Sequence, residues 1–439
     1  MADVLRAPTA DELVRLKRWR NSTFAVMLFG YVGYYICRKN LSAAVPLMGD
    51  EFGYSNSELG LIALYSEIAY AVGKLINGPL ADRIGGKSIF LTGMIGAILC
   101  NLAFSQGSSL GYFIVVWCVC RYFLSMGWGG LAKVIGHWYE PERNGTVMGF
   151  ISLNFQFGGV VATLFAGAIV AAGGGWREVF IYPPLVLFLI FVWSYLASKN
   201  SPRDLIPDTN FGHSLQGRKA TLFSEGDEAE GIKGHPLDIV KKLLSLRAFQ
   251  FLLLYSFLTT FLRSIFFFWT PKMLVDMGMG TSSAILKSAL FPMLGCIGTV
   301  LLGWYTDKYA VNGDRTKAMS IMLLGLVVSA GSVSMMLAQE AFNGDVIVVL
   351  LGLCGFFLLG PYSMSSGALT LDIAGPNAAG SATGMIDGLG YMGGALAVWS
   401  AGLLSDQLGW GQVFMVITGC SFLATLAAYS MGKFSKSPA

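Results

Sequence analysis

The sequence predicts an all-α polytopic membrane protein with twelve transmembrane helices in two pseudo-symmetric six-helix halves. Three observations carry this. Of the 439 residues, 54% are hydrophobic and 13% charged, whereas roughly 25% of an ordinary soluble domain is charged. Mean hydropathy is +0.60, and apolar runs beyond the ~18 residues that mark a spanning helix recur along the chain. Motifs of the first half also return in the second at nearly constant offsets. An outer-membrane barrel is excluded, because barrel strands alternate apolar and polar residues over ~10 positions and these runs are apolar throughout.

The runs lie near residues 24–48, 57–81, 88–107, 109–136, 145–172, 178–198, 249–274, 283–306, 317–338, 344–370, 377–405 and 411–432. They divide the chain into an N-terminal tail (1–23), a six-helix half (24–198), a linker (199–248), a second six-helix half (249–432) and a C-terminal tail (433–439). The linker carries eight Lys/Arg and seven Asp/Glu with several X-Pro steps, so it reads as a soluble connection with one amphipathic helix at 236–246. The first twenty residues hold neither an apolar core nor a small-residue cleavage site, so the first span is expected to act as the targeting signal. Fifty-five glycines suit close helix packing in lipid. The seven cysteines all fall inside apolar runs without zinc or redox spacing, as small apolar fillers do.

Orientation follows the Lys/Arg bias of the loops. The N-terminal tail, the regions of Arg83/Lys87 and Lys133/Arg143, the linker, Lys308/Arg315/Lys317 and Lys433/Lys436 are basic, and the alternate loops are poor in Lys and Arg apart from Arg177 and Lys272. Both termini and the linker are therefore expected on the cytoplasmic side of a plasma (inner) membrane.

The repeat is specific. Gly78-x-x-x-Asp82-Arg83 returns as Gly303-x-x-x-Asp307-Lys308, and Arg38 as Arg263, each 225 residues on. Gly145, Gly149, Gly158-Gly159 and Ala166-Gly167 return as Gly380, Gly384, Gly393-Gly394 and Ala401-Gly402 at an offset of 235. Two halves related by an axis along the membrane normal are the major facilitator pattern, which places the substrate site between halves near the midplane. The turn Asp82-Arg83-Ile84-Gly85-Gly86-Lys87 resembles that superfamily's loop motif. Gly78, Asp82, Arg83, Gly303, Asp307 and Lys308 are the expected gating residues, with Asp82 free to accept from a helix N-terminus or to pair with a cation.

Charges within the spans are costly and mark functional sites. They are Arg38, Lys39, Glu67, Lys74, Arg121, Arg263, Lys287 and Asp387. Arg38 and Arg263 occupy equivalent places, and two guanidinium forks suit a tetrahedral oxyanion, which Arg binds bidentately without losing its proton. The alternative is that each arginine pairs with Glu67 or Asp387 and holds helices together. Glu67, Asp387 and Lys39 are charge-pair or coupling candidates. For Lys39, Lys287 and Arg121 a structural or snorkelling role is at least as fitting. No Walker loop and no acid–base pair or activated nucleophile is present, so an ATP-driven pump and an enzyme are both unsupported.

Tyr34-Tyr35-x-x-Arg38-Lys39-Asn40, Tyr70-x-x-x-Lys74-x-x-x-Gly78, Gly127-Trp128, Leu359-Gly360-Pro361 and Gly384-x-x-x-Gly388-x-x-Tyr391-x-Gly393-Gly394 resemble the organophosphate:phosphate antiporters. That family includes glycerol-3-phosphate and hexose-6-phosphate transporters and related sugar-phosphate sensors. The resemblance implies that Arg38 and Arg263 bind phosphate, that Lys74 lines the same cavity, and that an organic phosphate is exchanged for inorganic phosphate without ATP, metal or other cofactor. Tyr34, Tyr35, Asn154 and Gln156 are candidates for the hydroxyls of the organic part. Lipid, a small phosphorylated anion and inorganic phosphate are the expected partners of a monomer, with no nucleic acid. The sequence departs from the family in three places. Asn154-Phe155-Gln156-Phe157-Gly158-Gly159 lacks the helix 5 histidine, Gly127-Trp128-Gly129-Gly130 replaces Gly-Trp-Pro-Pro, and Glu67 is an added carboxylate. Two other functions remain open: a proton-coupled carrier of another anion, and a non-transporting sugar-phosphate sensor.

Overall fold

The computed structural model describes residues 8–139, 147, 150–151, 154–207, 236–309, 315–339, 343–365 and 368–435; within these, the side chains of 78–79, 82, 236–240, 307, 368, 371–372, 374–381 and 435 are not described. Among the described residues the chain is helical. The long helices are α1 (Ala10–Phe52), α2 (Asn56–Ile84), α3 (Gly86–Phe104), α4 (Leu110–Leu124 and Met126–Trp138, broken at Ser125), α5 (Asn154–Ala171) and α6 (Trp176–Ala197). A short helix, Pro236–Ser245, precedes α7 (Arg247–Asp276), α8 (Thr281–Ser288 and Leu290–Tyr309), α9 (Thr316–Ala338), α10 (Gly344–Met364), α11 (Ala368–Leu408) and α12 (Trp410–Ser435). Ten of these, all but α1 and α11, are apolar and long enough to cross a membrane by composition alone. Large apolar side chains on their flanks are exposed, among them Leu189 at 69%, Ile321 at 69% and Met335 at 71%, as lipid-facing surfaces require.

Two elements differ from the sequence expectation. α1 spans 43 residues, about 65 Å at 1.5 Å per residue, so the segment expected as a tail is already helical from Ala10. Its polar residues, Asp11 to Arg20, form the part that exceeds a ~30 Å hydrocarbon layer. The tenth and eleventh runs part earlier in the sequence than their hydropathy suggests, α10 ending at Met364 and α11 beginning at Ala368.

The chain forms two compact units. One comprises Met1–Asn40, Ala69–Phe165 and Arg177–Glu228. Its aromatic centre is Phe104, stacked on Phe180 at 4.2 Å and flanked by Phe113 and Trp117 at 4.8 and 5.4 Å between ring centres. Val32 and Ile36 of α1 pack with Ala162 of α5 and Val186 of α6. Gly85, with φ +89°, makes the turn between α2 and α3, a conformation that only glycine adopts cheaply. The following Lys87 N–H donates to Asn200 Oδ1 at 3.1 Å, and Lys87 Nζ to the Ser198 carbonyl at 2.6 Å. A Cβ on Gly86 would lie 2.6 Å from the Gly130 carbonyl oxygen, so α3 and α4 meet backbone against backbone. That contact uses Gly130, the second glycine of the Gly129-Gly130 step.

The other unit comprises Leu41–Ile68, Ala166–Trp176 and Ala229–Ala439. Within it α7 is fitted to α11 through Gly390 and Gly393, and α8 to α10 through Gly298 and Gly355, whose missing side chains admit the neighbouring backbone or side chains. Trp269 Nε1 of α7 donates to the Val398 carbonyl of α11 at 2.8 Å. The last turns of α1 and the first of α2 join this unit through polar contacts. Ser42 Oγ donates to the carbonyls of Phe268 and Phe267, 2.8 and 3.0 Å away. α2 begins with a capping box in which Ser55 Oγ accepts from Glu58 N–H at 3.2 Å and Glu58 Oε2 from Ser55 N–H at 2.9 Å. The N–H groups of Asn56 and Ser57 instead donate to the Asp406 carboxylate of α11, at 3.0 and 2.7 Å. The internal repeat is visible in hydrogen bonds too. Trp176 Nε1 donates to Glu51 at 2.8 Å, and Trp410 Nε1 to Asp276 at 2.9 Å, joining the start of α6 to the end of α1 and the start of α12 to the end of α7.

Candidate anion-binding site

In the first unit the site is organised on Tyr70 of α2, a residue 2% exposed. Arg38 of α1 donates from Nη1 to Tyr70 Oη at 3.2 Å and sits with its guanidinium carbon 4.4 Å from the ring centre. Arg121 of α4 lies 4.5 Å from the same centre, and Lys74 Nζ 5.6 Å. Arg38 also lies over Tyr35, one turn earlier on α1, at 5.5 Å. Cation–ring contacts of this kind contribute ~0.5–2 kcal/mol each, more when desolvated. Three cations on one ring also repel each other, which makes the cluster receptive to an anion.

Local structure explains why the cations converge. α1 is locked rotationally on both sides of Arg38. Tyr34 Oη donates to the Phe90 carbonyl of α3 at 2.5 Å, and its ring occupies space that Gly93 and Gly127 leave open. Two residues after Arg38, Asn40 Nδ2 donates to Asn101 Oδ1, while Asn101 Nδ2 donates to the carbonyls of Ala97 at 2.8 Å and Cys37 at 3.3 Å. On α2, Tyr70 and Lys74 share a face at i, i+4. Gly73 between them admits α4: a Cβ there would lie 3.1 Å from Ser125 Cβ, and Asn77 Nδ2 donates to Ser125 Oγ at 2.7 Å. This seating of α2 on Tyr122–Ser125 carries Arg121 to Tyr70.

In the second unit Arg263 of α7 is 9% exposed. Its guanidinium carbon lies 4.6 Å from the Tyr362 ring centre on α10 and 5.0 Å from that of Phe267, one turn along α7. Each arginine of the repeat thus rests on one aromatic ring of its own helix and on a tyrosine of a neighbour. Asp387 is half-buried on α11, next to Ile386, whose carbonyl accepts from Ser256 Oγ at 3.4 Å. Among the described residues nothing lies within 4 Å of a Cβ on Gly384 or Gly388, while Gly390, Gly393 and Gly394 meet α7; the glycine motif of α11 divides there into an open part and a packed part.

The other sequence candidates fall as follows. Tyr34 is enclosed and its hydroxyl bonds the α3 backbone, so binding a substrate hydroxyl would require that contact to be given up. Asn154, 6% exposed, donates to the Leu28 carbonyl at 2.8 Å, and Gln156 has no exposed surface; both sit in helix contacts. Tyr35 is 3% exposed beneath Arg38. Glu67 and Lys39 are half-buried on α2 and α1. Lys287 is an end-of-helix charge, paired with Asp345 at 2.5 Å. Of the gating residues, Arg83 and Lys308 are exposed, with Lys308 Nζ 5.2 Å from the Trp304 ring centre. Among the described residues a Cβ on Gly303 would meet nothing within 4 Å. Any contacts of Gly78, Asp82 and Asp307 lie outside the described side chains. Sequence reasoning named Tyr70 only within a family motif and found a structural or snorkelling role at least as fitting for Arg121; the signal for both was a polar group at helical spacing within an apolar run.

Among known proteins, a profile of the Major Facilitator Superfamily matches residues 27–398. A probable hexose phosphate transport protein of Chlamydia muridarum is 27% identical, covering 94% of this chain and 92% of its own. A glycerol-3-phosphate transporter of Bacillus subtilis is 27% identical over 92% and 90%, and the membrane sensor protein UhpC of Escherichia coli 25% over 97% of each chain. The crystal structure of a D-xylose-proton symporter superposes with a TM-score of 0.75 at 16% identity, covering 94% of this chain and 98% of that one. Fold and relatives alike are those of integral, multi-pass transport proteins rather than enzymes. The chain belongs to the major facilitator superfamily, alongside the organophosphate:phosphate antiporters that its motifs resemble.

Proposed function

We propose that the protein is a secondary transporter that exchanges a phosphorylated small organic molecule, of the glycerol-3-phosphate or hexose-6-phosphate class, for inorganic phosphate by alternating access. The observation that carries this is the convergence of Arg38, Lys74 and Arg121 on Tyr70, with Arg263 on Tyr362 in the equivalent place of the repeat. Relatives named as hexose phosphate and glycerol-3-phosphate transport proteins support the choice of ligand. Both termini and the linker face the cytoplasm of a plasma membrane, as the Lys/Arg bias indicates, and the working unit is a monomer of two halves, 24–198 and 249–432. Obligate exchange has an electrostatic reason. Converging cations resist closure of an empty site, and a bound dianion relieves that repulsion and lets the halves move. On the side opposite the linker, the hydrogen bonds of Ser42, Asn56 and Ser57 form one closed gate.

The test is Arg38→Lys and Arg263→Lys in proteoliposomes preloaded with phosphate. Lysine keeps the charge and loses the planar fork, so homologous phosphate exchange should fall at least tenfold in each. Full exchange in both would reject the clamp. Uptake driven by a pH gradient without internal phosphate would favour proton coupling through Glu67 or Asp387. Tight sugar-phosphate binding without flux would favour a sensor, the activity named for the relative UhpC.

A further inference from the structure

The linker-side ends of α1 and α6 carry a pattern that the anion site does not use. Ser22 Oγ donates to the carbonyl of Ala197, the last residue of α6, at 2.6 Å. The turns Ala10–Asn21 of α1 therefore project beyond α6 by about 18 Å. Arg15, Arg18, Ser22 and Phe29 share one stripe of α1 at helical spacing. Ser22 and Phe29 face α6, the Phe29 ring centre lying 6.1 Å from that of Trp193. Arg15 and Arg18, both exposed, thus stand on the stripe that runs out over the end of α6. There Lys199 Nζ lies 5.2 Å from the ring centre of Trp19. The Lys199 backbone is fixed on both sides, its N–H donating to Thr23 Oγ1 at 3.3 Å and its carbonyl accepting from Trp138 Nε1 at 3.0 Å. Below these cations the α1/α6 seam is apolar, with Phe29, Leu189, Trp193 and Leu196 all exposed. Of the acids nearby, Asp204 accepts from the N–H groups of Asn200 and Ser201 at 2.8 and 3.2 Å, and Glu12 from that of Thr9 at 2.9 Å. Asp11 stands one turn further out than Arg15 and leaves the stripe net positive.

The second half repeats the pattern at its own ends. The offset of 234 residues from Trp176 to Trp410 also takes Leu189, Tyr195 and Lys199 to Leu423, Tyr429 and Lys433, and 225 residues take Phe29 to Leu254. All four counterparts are exposed. Arg247 of α7 lies 5.6 Å from the ring centre of Phe434 of α12, which stacks on Phe251 at 5.6 Å. A soluble anion has no use for the apolar seams, and an uncharged lipid none for the cations. An amphiphile with an anionic headgroup uses both.

We propose that the two seams, α1/α6 and α7/α12, each bind an anionic glycerophospholipid of the linker-side leaflet. Arg15, Arg18 and Lys199 hold its phosphodiester in the first unit, and Arg247 and Lys433 in the second; guanidinium forks suit paired phosphate oxygens. The acyl chains lie along the exposed aliphatic residues, with Trp193, Tyr195 and Tyr429 at the level where aromatic rings meet headgroups. These sites do not depend on what the protein carries.

The experiment is native mass spectrometry of the purified full chain in a neutral detergent, titrated with a phosphatidylglycerol or with the phosphatidylcholine of the same acyl chains. Wild type should retain two phosphatidylglycerol molecules, with at least about tenfold preference over phosphatidylcholine. One Lys or Arg beside an anionic headgroup changes affinity about fivefold. Arg15→Gln/Arg18→Gln/Lys199→Gln should therefore weaken one site about a hundredfold, and Arg247→Gln/Lys433→Gln the other about twenty-fivefold. Arg83→Gln/Lys317→Gln removes two charges from other linker-side helix ends and should keep both lipids. Should the triple variant not fold, Arg15→Gln/Arg18→Gln, which changes only exposed side chains on the projecting turns, should still weaken one site about twenty-fivefold. Equal retention of the two lipids by wild type, unchanged affinity in either neutralised variant, or the same loss in Arg83→Gln/Lys317→Gln would overturn the proposal. So would displacement of the bound lipid by millimolar inorganic phosphate, which would assign it to the anion site instead.

Discussion

Asp406→Asn should open the gate built from the start of α2 and the end of α11. The Asp406 carboxylate accepts from Asn56 N–H at 3.0 Å, Ser57 N–H at 2.7 Å and Ser57 Oγ at 2.5 Å. A helix leaves its first N–H groups unsatisfied, and here the capping box Ser55/Glu58 satisfies the third, so the first two depend on a residue of another helix. Asparagine keeps the shape, one oxygen acceptor and no charge. It loses one hydrogen bond to a charged acceptor, ~1.5–3 kcal/mol, and the carboxylate's interaction with the α2 dipole, ~0.3–1 kcal/mol. Half of this is recovered from water at a partly exposed site, leaving about 1–2 kcal/mol, or roughly a five- to thirtyfold shift towards the separated state. The assay is labelling by a membrane-impermeant maleimide at Ser42→Cys in a cysteine-depleted background. Ser42 is 8% exposed and bonded to the α7 backbone, so its reactivity reports separation. Labelling should accelerate five- to thirtyfold with Asp406→Asn. A rate within twofold of the parent, in protein of unchanged thermal stability, would refute the latch.

Two further predictions concern the first unit. Gly93→Ala places a Cβ 2.8 Å from the Phe123 carbonyl oxygen and against Tyr34 Oη, so overpacking should cost about 1–3 kcal/mol and lower the melting temperature in detergent. Gly129→Ala, with nothing within 4 Å, should be neutral or stabilise by up to ~1 kcal/mol. Tyr70→Phe loses the bond to Arg38 Nη1 but keeps the ring, so phosphate affinity measured by isothermal titration should fall about fivefold, the equivalent of ~1 kcal/mol. Tyr70→Leu also removes the surface on which three cations rest and should cost at least a further fivefold.

The spans were legible because membrane helices announce themselves by length and apolarity, and nine helix starts fall within two residues of their apolar runs. Charged and polar sequence hid the start of α1, which continues towards its N-terminus through Asp11–Arg20, where hydropathy falls but helix propensity does not. The repeat was legible for a different reason. The offset of 225 residues read from Arg38/Arg263 also relates Glu51 to Asp276, and these are the residues that Trp176 and Trp410 bond. The latch was illegible. Asp406 reads as an ordinary loop-proximal charge, and its partners Asn56 and Ser57 lie 350 and 349 residues earlier in the chain.

Within the site, sequence spacing located charges but not their rotation about each helix. Tyr34, Tyr35 and Arg38 are neighbours on α1, yet Tyr34, one turn before Arg38, is turned into α3, because Gly93 and Gly127 leave a slot that its ring fills and Phe90 offers a carbonyl to its hydroxyl. Arg121 is the converse case. For a lone arginine in an apolar run a structural or snorkelling role is at least as fitting, but snorkelling needs a path to water, and Arg121 is 3% exposed with its guanidinium against Tyr70. What decides between the two outcomes is the glycine on the facing helix. Gly73 brings α2 close enough to Tyr122–Ser125 for the ring and the guanidinium to meet. Gly73→Ala should therefore loosen Arg121 from Tyr70 without touching either residue, and weaken phosphate affinity measured by isothermal titration about as much as Tyr70→Leu. If affinity survived Gly73→Ala in a folded protein, close approach of α2 and α4 would not be what aims this charge.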